Sequence, residues 1–168
     1  MAKQQVKILM GSDSDAPVMK KALDTLGQLG ISCHMTVASA HRSPDRVQQV
    51  INQACGNGVK VFIIGAGAAA HLAGVVAAHT TVPVIGVPID SSPLKGWDAL
   101  LATVQMPPGV PVATVSVGNA GAVNAAVLAA QIIALSDETV AESLRQYKQT
   151  LAAKVEKVAK KVEESTFA

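Results

Sequence analysis

Residues 31–55, ISCHMTVASAHRSPDRVQQVINQAC, contain a strand, a turn and a helix in one stretch, and this stretch decides the class of fold. The apolar run from Ile31 to Ala38 predicts the strand, and Ser43 with Pro44 predicts the start of a helix that continues to about Cys55. Serine caps a helix by satisfying its free N–H groups. Proline costs little in the first turn because its missing N–H has no intrahelical partner. The turn between strand and helix therefore lies at the carboxyl end of a strand.

The same alternation of strand and helix continues in both directions. The predicted strands are Val6–Met10, Ile31–Ala38, Val59–Ile64, Val82–Val87 and Val112–Val117, and the predicted helices are Val18–Leu29, Ser43–Cys55, His71–His79, Gly96–Thr103 and Ala120–Leu135. Most of the strands are apolar without alternation, which is typical of a parallel sheet covered on both faces. The predicted fold class is therefore α/β, a three-layer α/β/α sandwich.

An extra C-terminal helix is predicted after this core, within a single domain that spans residues 1–168. The core covers about 5–135 and the last helix about 137–164, with Ser136 as its cap and Asp137 and Glu138 complementing its dipole. One apolar stripe runs along this otherwise charged helix. The stripe consists of Val140, Leu144, Tyr147, Leu151, Val155, Val158 and Val162.

The composition restricts the functions to be considered. Hydrophobic residues make up 49% of the chain and aromatic residues only 2%, and the net charge is +2. So small a charge, without a basic cluster, argues against a nucleic-acid partner. Glycines and His71 interrupt the richest apolar stretch, Val61 to Ala78, so we expect no membrane span. Residues 1–5 lead directly into a predicted strand, so we expect no secretory leader, and we expect Cys33 and Cys55 to be buried thiols. The predicted location is the cytoplasm.

Three strand ends carry polar or glycine-rich turns, at Gly11–Asp15, Ser39–Asp45 and Gly65–His71. The carboxyl ends of parallel strands share one edge of a sheet, so the three turns can form a single pocket. Within the second turn, His41 is suited to move a proton near neutral pH, and Arg42 to hold an anion with a planar fork of donors. The alternative is a solvated loop with two incidental cations.

The first turn suits a phosphate or a sugar, because backbone N–H groups and hydroxyls meet there at a helix start. Asp15 would repel phosphate and fits ribose hydroxyls better, although serine and aspartate are also ordinary helix caps. His71 is either a structural donor or a catalytic group, and Lys95, in the segment Asp90–Gly96, has no assigned role. The sequence contains no Walker loop, no complete dinucleotide fingerprint and no metal-ligand spacing.

Four motifs follow one another along the chain: 10–15 (MGSDSD), 39–45 (SAHRSPD), the glycine-rich loop that ends in 70–72 (AHL), and 105–111 (QMPPGVP). Together, over about residues 6–135, they resemble the N5-carboxyaminoimidazole ribonucleotide mutase family of purine biosynthesis. The resemblance implies a flavodoxin-like domain that assembles as a homo-octamer without a metal or an organic cofactor. It also implies the reaction, which converts N5-carboxyaminoimidazole ribonucleotide to 4-carboxy-5-aminoimidazole ribonucleotide during IMP synthesis.

The resemblance also implies roles for individual residues. His41 matches the essential catalytic histidine of the family, and His71 matches a second histidine in the same pocket. Arg42 resembles the mutase branch, since the branch that carboxylates aminoimidazole ribonucleotide directly with CO2 usually has lysine there. This chain has Ala68 and Ala73 where the family commonly has glycine and proline. The implied substrate-binding residues are Gly11, Ser12, Ser14, Asp15, Ser39, Ala40, Arg42, Gly67, Ala70, His71 and Leu72.

Two other functions stay open at the level of the sequence. One is direct carboxylation of aminoimidazole ribonucleotide, which Arg42 disfavours. The other is a nucleotide sensor or a receiver-like module without catalysis. A receiver needs an aspartate at the end of its third strand, where this chain has Gly65-Ala66-Gly67, so the receiver is disfavoured.

Overall fold

The computed structural model describes residues 4–166, and strands and helices alternate along them. Residues 1–3 and 167–168, which belong to the predicted 1–168 domain, lie outside the described residues. The strands are β1 (Val6–Met10), β2 (Cys33–Val37), β3 (Val61–Gly67), β4 (Val84–Ile89) and β5 (Ala113–Thr114). The helices are α1 (Ala16–Gln28), α2 (Pro44–Gly56), α3 (Leu72–Ala78), α4 (Trp97–Val104), α5 (Gly118–Ala134) and α6 (Glu138–Thr166).

The five strands form one sheet in the order β2-β1-β3-β4-β5, and every neighbouring pair is parallel. This is the flavodoxin-like strand order, in which the chain moves outward from β1 first to one side and then to the other. Helices cover both faces of the sheet. The predicted three-layer α/β/α sandwich is therefore confirmed.

Side-chain alternation along the strands divides the core into two halves. Ile8 of β1 and Ile63 of β3 point to the face covered by α1, α5 and the start of α6. Leu9 and Phe62 point to the opposite face, against α2, α3 and α4. Because both faces are buried, the strands need apolar residues at successive positions, which explains the unalternating pattern in the sequence.

Strands β3 and β4 both begin and end later along the chain than the sequence predicted, and β5 is much shorter. The segment predicted as a turn from Gly65 continues β3 to Gly67, where it pairs with Ile89 of β4. A Cβ on Gly65 would clash with Met19 Sδ, so this glycine serves close packing of α1 on the strand. β5 has only two residues, Ala113 and Thr114, although Val115 N beyond it still donates to the carbonyl of Gly86 at 3.1 Å.

Two predicted helix caps have a different chemistry in the structure. Ser43 does precede α2, but its hydroxyl makes no capping bond. Ser43 Oγ instead accepts from Ser39 N at 3.0 Å and lies 3.2 Å from Ser39 O, so it closes the preceding turn. At α6 the cap is Asp137, whose Oδ1 accepts from Val140 N at 3.2 Å, and not Ser136. At α2 the competing partner is the backbone of the preceding turn, and at α6 it is the neighbouring Asp137 side chain.

The surface differs from the prediction at Cys55. Cys33 is half-buried, as a core-facing residue of an edge strand would be, but Cys55 is exposed. The buried positions of α2 run through Val47, Val50, Ile51 and Ala54, so the next residue falls outside that stripe. The prediction of a buried thiol is wrong for Cys55.

Helix α6 buries only the beginning of its apolar stripe. Val140 is buried, and Leu144 and Tyr147 pack against the core. From Leu151 onward the stripe is exposed, and Val155 is 67% exposed. Within residues 4–166, α6 included, no helix has both the length and the apolar character needed to cross a membrane.

Candidate active site

The carboxyl ends of β1 to β4 surround a cavity of about 180 Å³ at the point where the strand order reverses. In open α/β sheets this reversal point is where ligands bind, because the loops on either side diverge there. The cavity is called the His41 cavity below. The predicted site residues that line it are Gly11, Ser12, Ser14, Asp15, Ser39, Ala40, His41, Arg42, Gly67 and Leu72.

Two predicted residues do not line the cavity. Ala70 is 1% exposed and packs in the core half that contains α2 and α3. His71 does not line the cavity itself, but its Nδ1 is 2.8 Å from Nε2 of His41, which does. The three lining residues that the sequence did not single out are Ala66, Ala69 and Ser91.

The two histidine rings meet edge to face, with centroids 5.0 Å apart and an interplanar angle of 79°. At 2.8 Å, the facing nitrogens form a hydrogen bond in which one carries the proton and the other accepts it. His71 immediately precedes α3, so a helix start fixes its backbone. The pair therefore holds the His41 ring in one orientation at the edge of the cavity.

Arg42 ties the first two turns together. Its Nη2 donates to the carbonyl of Gly11 at 2.9 Å, and its Nε donates to Ser39 Oγ at 3.4 Å. Ser39 Oγ also accepts from the backbone N of Arg42 at 3.2 Å. Together with the hydrogen bonds of the Ser43 hydroxyl, these bonds make the turn that carries His41 rigid. They also hold the Arg42 guanidinium at the cavity wall.

Asp15 places a buried carboxyl in the first turn. It is only 4% exposed, and burial is the main cause that raises its pKa above the ordinary value. A backbone hydrogen bond from Ser12 and the Arg42 charge oppose that rise, whereas Asp13 adds to it. The turn is further closed by Ser14 N, which donates to Asp13 Oδ1 at 3.1 Å. Within residues 4–166, no lysine or arginine forms an ion pair with Asp15, so its carboxylate is suited to accept hydrogen bonds from sugar hydroxyls.

Gly67 and Ser91 form the far wall of the cavity. A Cβ on Gly67 would overlap Ser91 Oγ and would lie 3.1 Å from the carbonyl oxygen of Ile89. Only glycine therefore lets the serine hydroxyl take its observed position. Ser91 was missed in the sequence because β4 was predicted to end at Val87, two residues early. Applying the strand-end rule to Ile89 would have found it.

A second, wider cavity of about 570 Å³ adjoins the first on the other side of Arg42. It is called the Arg46 cavity below. It shares Gly11, Ser12, Ser39 and Arg42 with the His41 cavity, and its other lining residues are Asp13, Val37, Ala38, Ser43 and Arg46. Arg46 was not among the predicted site residues. Within residues 4–166, no three histidine, cysteine or acidic side chains are grouped as a metal site would require.

The sequence model of the AIR carboxylase family matches residues 5–154, so the chain belongs to that family. The match includes all the turns that form the two cavities.

Curated relatives share about half of their residues with this chain. An N5-carboxyaminoimidazole ribonucleotide mutase from Pyrococcus horikoshii is 49% identical over 162 residues, which cover 96% of this chain and 90% of the relative. The protein of the same name from Bacillus subtilis is 55% identical over 139 residues, covering 83% of this chain and 86% of the relative.

Solved structures share the fold over almost the whole chain. The crystal structure of a single-substitution variant of Treponema denticola PurE2 has a TM-score of 0.87 at 29% identity, and covers 95% of this chain and 98% of that one. The crystal structure of Treponema denticola PurE has a TM-score of 0.81 at 30% identity, with 94% and 98% covered.

Proposed function

We propose that this chain is an N5-carboxyaminoimidazole ribonucleotide mutase of de novo purine biosynthesis. The observation that carries this proposal is the His41 cavity, in which a histidine and an arginine from the turn after β2 meet a buried carboxyl from the turn after β1. The relatives that bear this name match the chain at about 50% identity over most of its length. The reaction moves a carboxylate from the exocyclic nitrogen of the aminoimidazole ring to ring carbon C4.

The ribonucleotide is proposed to lie against the first two turns. Ser12, Ser39 and Arg42 offer hydroxyls and a cation for the phosphate, and Asp15 offers a carboxylate for the ribose hydroxyls. The hydrogen bond from Arg42 to the Gly11 carbonyl keeps both turns at a fixed separation before substrate binds. Such preorganisation lowers the entropic cost of orienting the reacting ring.

His41 is proposed to move the two protons that the reaction requires. It first donates a proton to the exocyclic nitrogen as the N–CO2 bond breaks, which leaves aminoimidazole ribonucleotide and CO2. C4 of the electron-rich ring then attacks the CO2 carbon, and His41 accepts the C4 proton as the ring regains aromaticity. The histidine thus ends in the protonation state in which it began, and no net group is gained or lost. Gly67 and Ala69 line the cavity in which CO2 would be retained.

Direct carboxylation of aminoimidazole ribonucleotide with CO2 is the second candidate. The description of the matching family, AIR carboxylase, is the observation that favours it. Arg42 favours the mutase through its resemblance to that branch.

A comparison of two substrates tests the proposal. Purified protein is given N5-carboxyaminoimidazole ribonucleotide, or aminoimidazole ribonucleotide with bicarbonate, and formation of the C4-carboxylated product is followed. A mutase is expected to convert the first substrate fast. Preference for the second would make the chain a carboxylase. Tight nucleotide binding with no conversion of either would leave a sensor.

We also propose that the chain assembles as a homo-octamer and that it is located in the cytoplasm. The octamer is supported by the apolar surface that a monomer exposes, on α6 from Leu151 onward and around α4, where Trp97 is 68% exposed. Monomeric proteins rarely expose such contiguous patches. Light scattering at micromolar concentration should give about eight times the chain mass of 17.2 kDa.

Two variants of α6 examine that assembly. Val155→Asp together with Val158→Asp should reduce the mass, because buried charges without partners oppose association. Gln149→Asp adds a charge at an exposed position outside the stripe and should leave the mass unchanged. A wild-type protein of monomeric mass would contradict the octamer.

A further inference from the structure

The Arg46 cavity contains a guanidinium to which the proposed reaction gives no role. Arg46 Nε donates to the carbonyl of Val37 at 2.9 Å, and its Nη2 donates to Thr36 Oγ1 at 3.3 Å. These bonds fix the side chain beside the end of β2. They use two of the five N–H donors that a guanidinium carries, so further donors remain for a ligand in the cavity.

Among residues 4–166, no carboxylate forms an ion pair with the positive charge of Arg46. The ion pairs among residues 4–166 are Lys20–Asp24, Arg145–Glu138 and Arg145–Glu142, so no described carboxylate pairs with Arg42 or Arg46. Neighbouring Lys7 experiences this charge: burial first, and then Arg46, lower the pKa of Lys7. The acidic residue in the cavity wall is Asp13, whose Oδ1 already accepts from Ser12 Oγ and Ser14 N.

Arg42 and Arg46 both line this cavity, on the same turn-and-helix segment as the hydroxyls of Ser39 and Ser43. Two arginines and the Ser39 hydroxyl in the lining of one cavity suit a phosphate, whose oxygens accept several charge-assisted hydrogen bonds at once. The His41 cavity, at about 180 Å³, is the smaller of the two, while the Arg46 cavity has about 570 Å³ and opens beside it.

We propose that Arg46 is a second phosphate-binding cation, which together with Arg42 holds the 5′-phosphate of the substrate in the Arg46 cavity. This inference rests on the proposed ribonucleotide substrate. It places the ring and ribose in the His41 cavity and the phosphate across Arg42. Arg46 then sets the preference for the phosphorylated ligand over the ribonucleoside and takes no part in the proton transfers.

The test compares a phosphorylated ligand with its unphosphorylated counterpart in matched variants. Wild type, Arg46→Met, Arg46→Lys and Lys60→Met are titrated with 4-carboxy-5-aminoimidazole ribonucleotide and with the corresponding ribonucleoside. Lys60 is an exposed cation just before the amino end of β3, at the opposite edge of the sheet, and controls for net charge. Steady-state turnover is measured on the same samples, and circular dichroism checks the fold. Arg46→Gln replaces Arg46→Met if the latter does not fold.

We expect Arg46→Met to weaken ribonucleotide binding by about tenfold, as loss of a charge-assisted hydrogen bond does. Ribonucleoside binding should be the same as in wild type, and kcat/KM for the ribonucleotide should fall by about the same factor as its affinity. Arg46→Lys should retain most of the affinity, and Lys60→Met all of it. Unchanged ribonucleotide binding in Arg46→Met would overturn the proposal. So would an equal loss for both ligands, because Arg46 would then only fasten β2 to α2.

A failure of the proposed function is distinguishable from a failure of this site. If wild type converts no ribonucleotide, inorganic phosphate becomes the probe, and its binding is compared between wild type and Arg46→Met. Tighter binding by wild type would sustain the anion site without the mutase. Equal binding, or none, would overturn it.

Discussion

The His41 cavity and the Arg46 cavity share one wall, yet the rest of their surroundings differ in chemistry. The first is small and combines a histidine with a buried carboxyl and the small residues Gly67 and Ala69. The second is about three times larger and is lined by a second arginine and the Ser43 hydroxyl. Arg42 belongs to both.

This difference separates two tasks that a small enzyme must perform on one ligand. Proton transfer needs a group fixed within hydrogen-bond reach of the reacting atoms, which a small cavity with rigid walls provides. Anchoring needs charge and donors, and it gains from distance, because binding energy at a remote phosphate can orient the reacting ring. Substitutions on either side of Arg42 should therefore change different kinetic constants.

Arg42→Ala is expected to have the largest effect on binding, because it removes the cation that both cavities share. KM for the ribonucleotide should rise roughly ten- to a hundredfold, as for a charge-assisted hydrogen bond to an anion. Arg42→Lys keeps the charge but loses the planar guanidinium that reaches the Gly11 carbonyl. Its KM should therefore lie between the KM of wild type and that of Arg42→Ala. Steady-state kinetics measures both. An unchanged KM in Arg42→Ala would remove the anchoring role.

Gly67→Ala is expected to change the His41 cavity and to leave the Arg46 cavity unchanged. The added Cβ displaces the Ser91 hydroxyl and narrows the small cavity, so kcat should fall by about tenfold. Inorganic phosphate binding, a property of the larger cavity, should be unchanged. Gly56→Ala is the matched control, since a Cβ there meets no atom within 4 Å. Equal kinetics for the two variants would show that the Gly67–Ser91 contact has no bearing on turnover.

Asp15→Asn should have the smallest effect, on stability. Burial raises the pKa of Asp15 in the folded state above the ordinary value of 3.8, so folding disfavours the ionised form. The resulting loss in the free energy of unfolding is absent below pH 3.8. It develops as pH rises from 3.8 to the folded pKa, and it is complete above that pKa. The asparagine side chain of the variant does not ionise. Thermal unfolding at pH 7 should therefore show a higher midpoint for the variant.

The pH dependence provides the control for that prediction. The difference in midpoint between Asp15→Asn and wild type should shrink as pH falls towards 3.8. Asp24→Asn, which removes an exposed partner of Lys20, should not raise the midpoint at pH 7. A lower midpoint for Asp15→Asn at pH 7 would mean that hydrogen bonds to the carboxylate outweigh its burial.

The sequence predicted the sheet and the small cavity well, because both follow from where strands end. Gly11 and Gly67 stand at or next to the ends of β1 and β3, His41 lies in the turn after β2, and parallel strands bring their ends to one edge. Ser91 was missed only because β4 runs two residues further than its apolar pattern indicated, through Pro88 and Ile89.

The Arg46 cavity and the exposed part of the α6 stripe were harder to predict for a physical reason. Arg46 reads as an ordinary exposed residue of an amphipathic helix, and its contact with Val37 depends on how α2 packs beside β2. The apolar stripe of α6 likewise has one period along its whole length, although only its beginning meets the core. Periodicity identifies an apolar face but does not say what covers it.

His41→Asn tests the central claim most directly, because the claim is that His41 performs the proton transfers and the arginines hold the ribonucleotide. Conversion of N5-carboxyaminoimidazole ribonucleotide and binding of 4-carboxy-5-aminoimidazole ribonucleotide are measured on the same samples of wild type and variant. We predict that the variant binds the product ribonucleotide within a few-fold of wild type, while its turnover falls by about a thousandfold or more. Turnover within a few-fold of wild type would contradict the account.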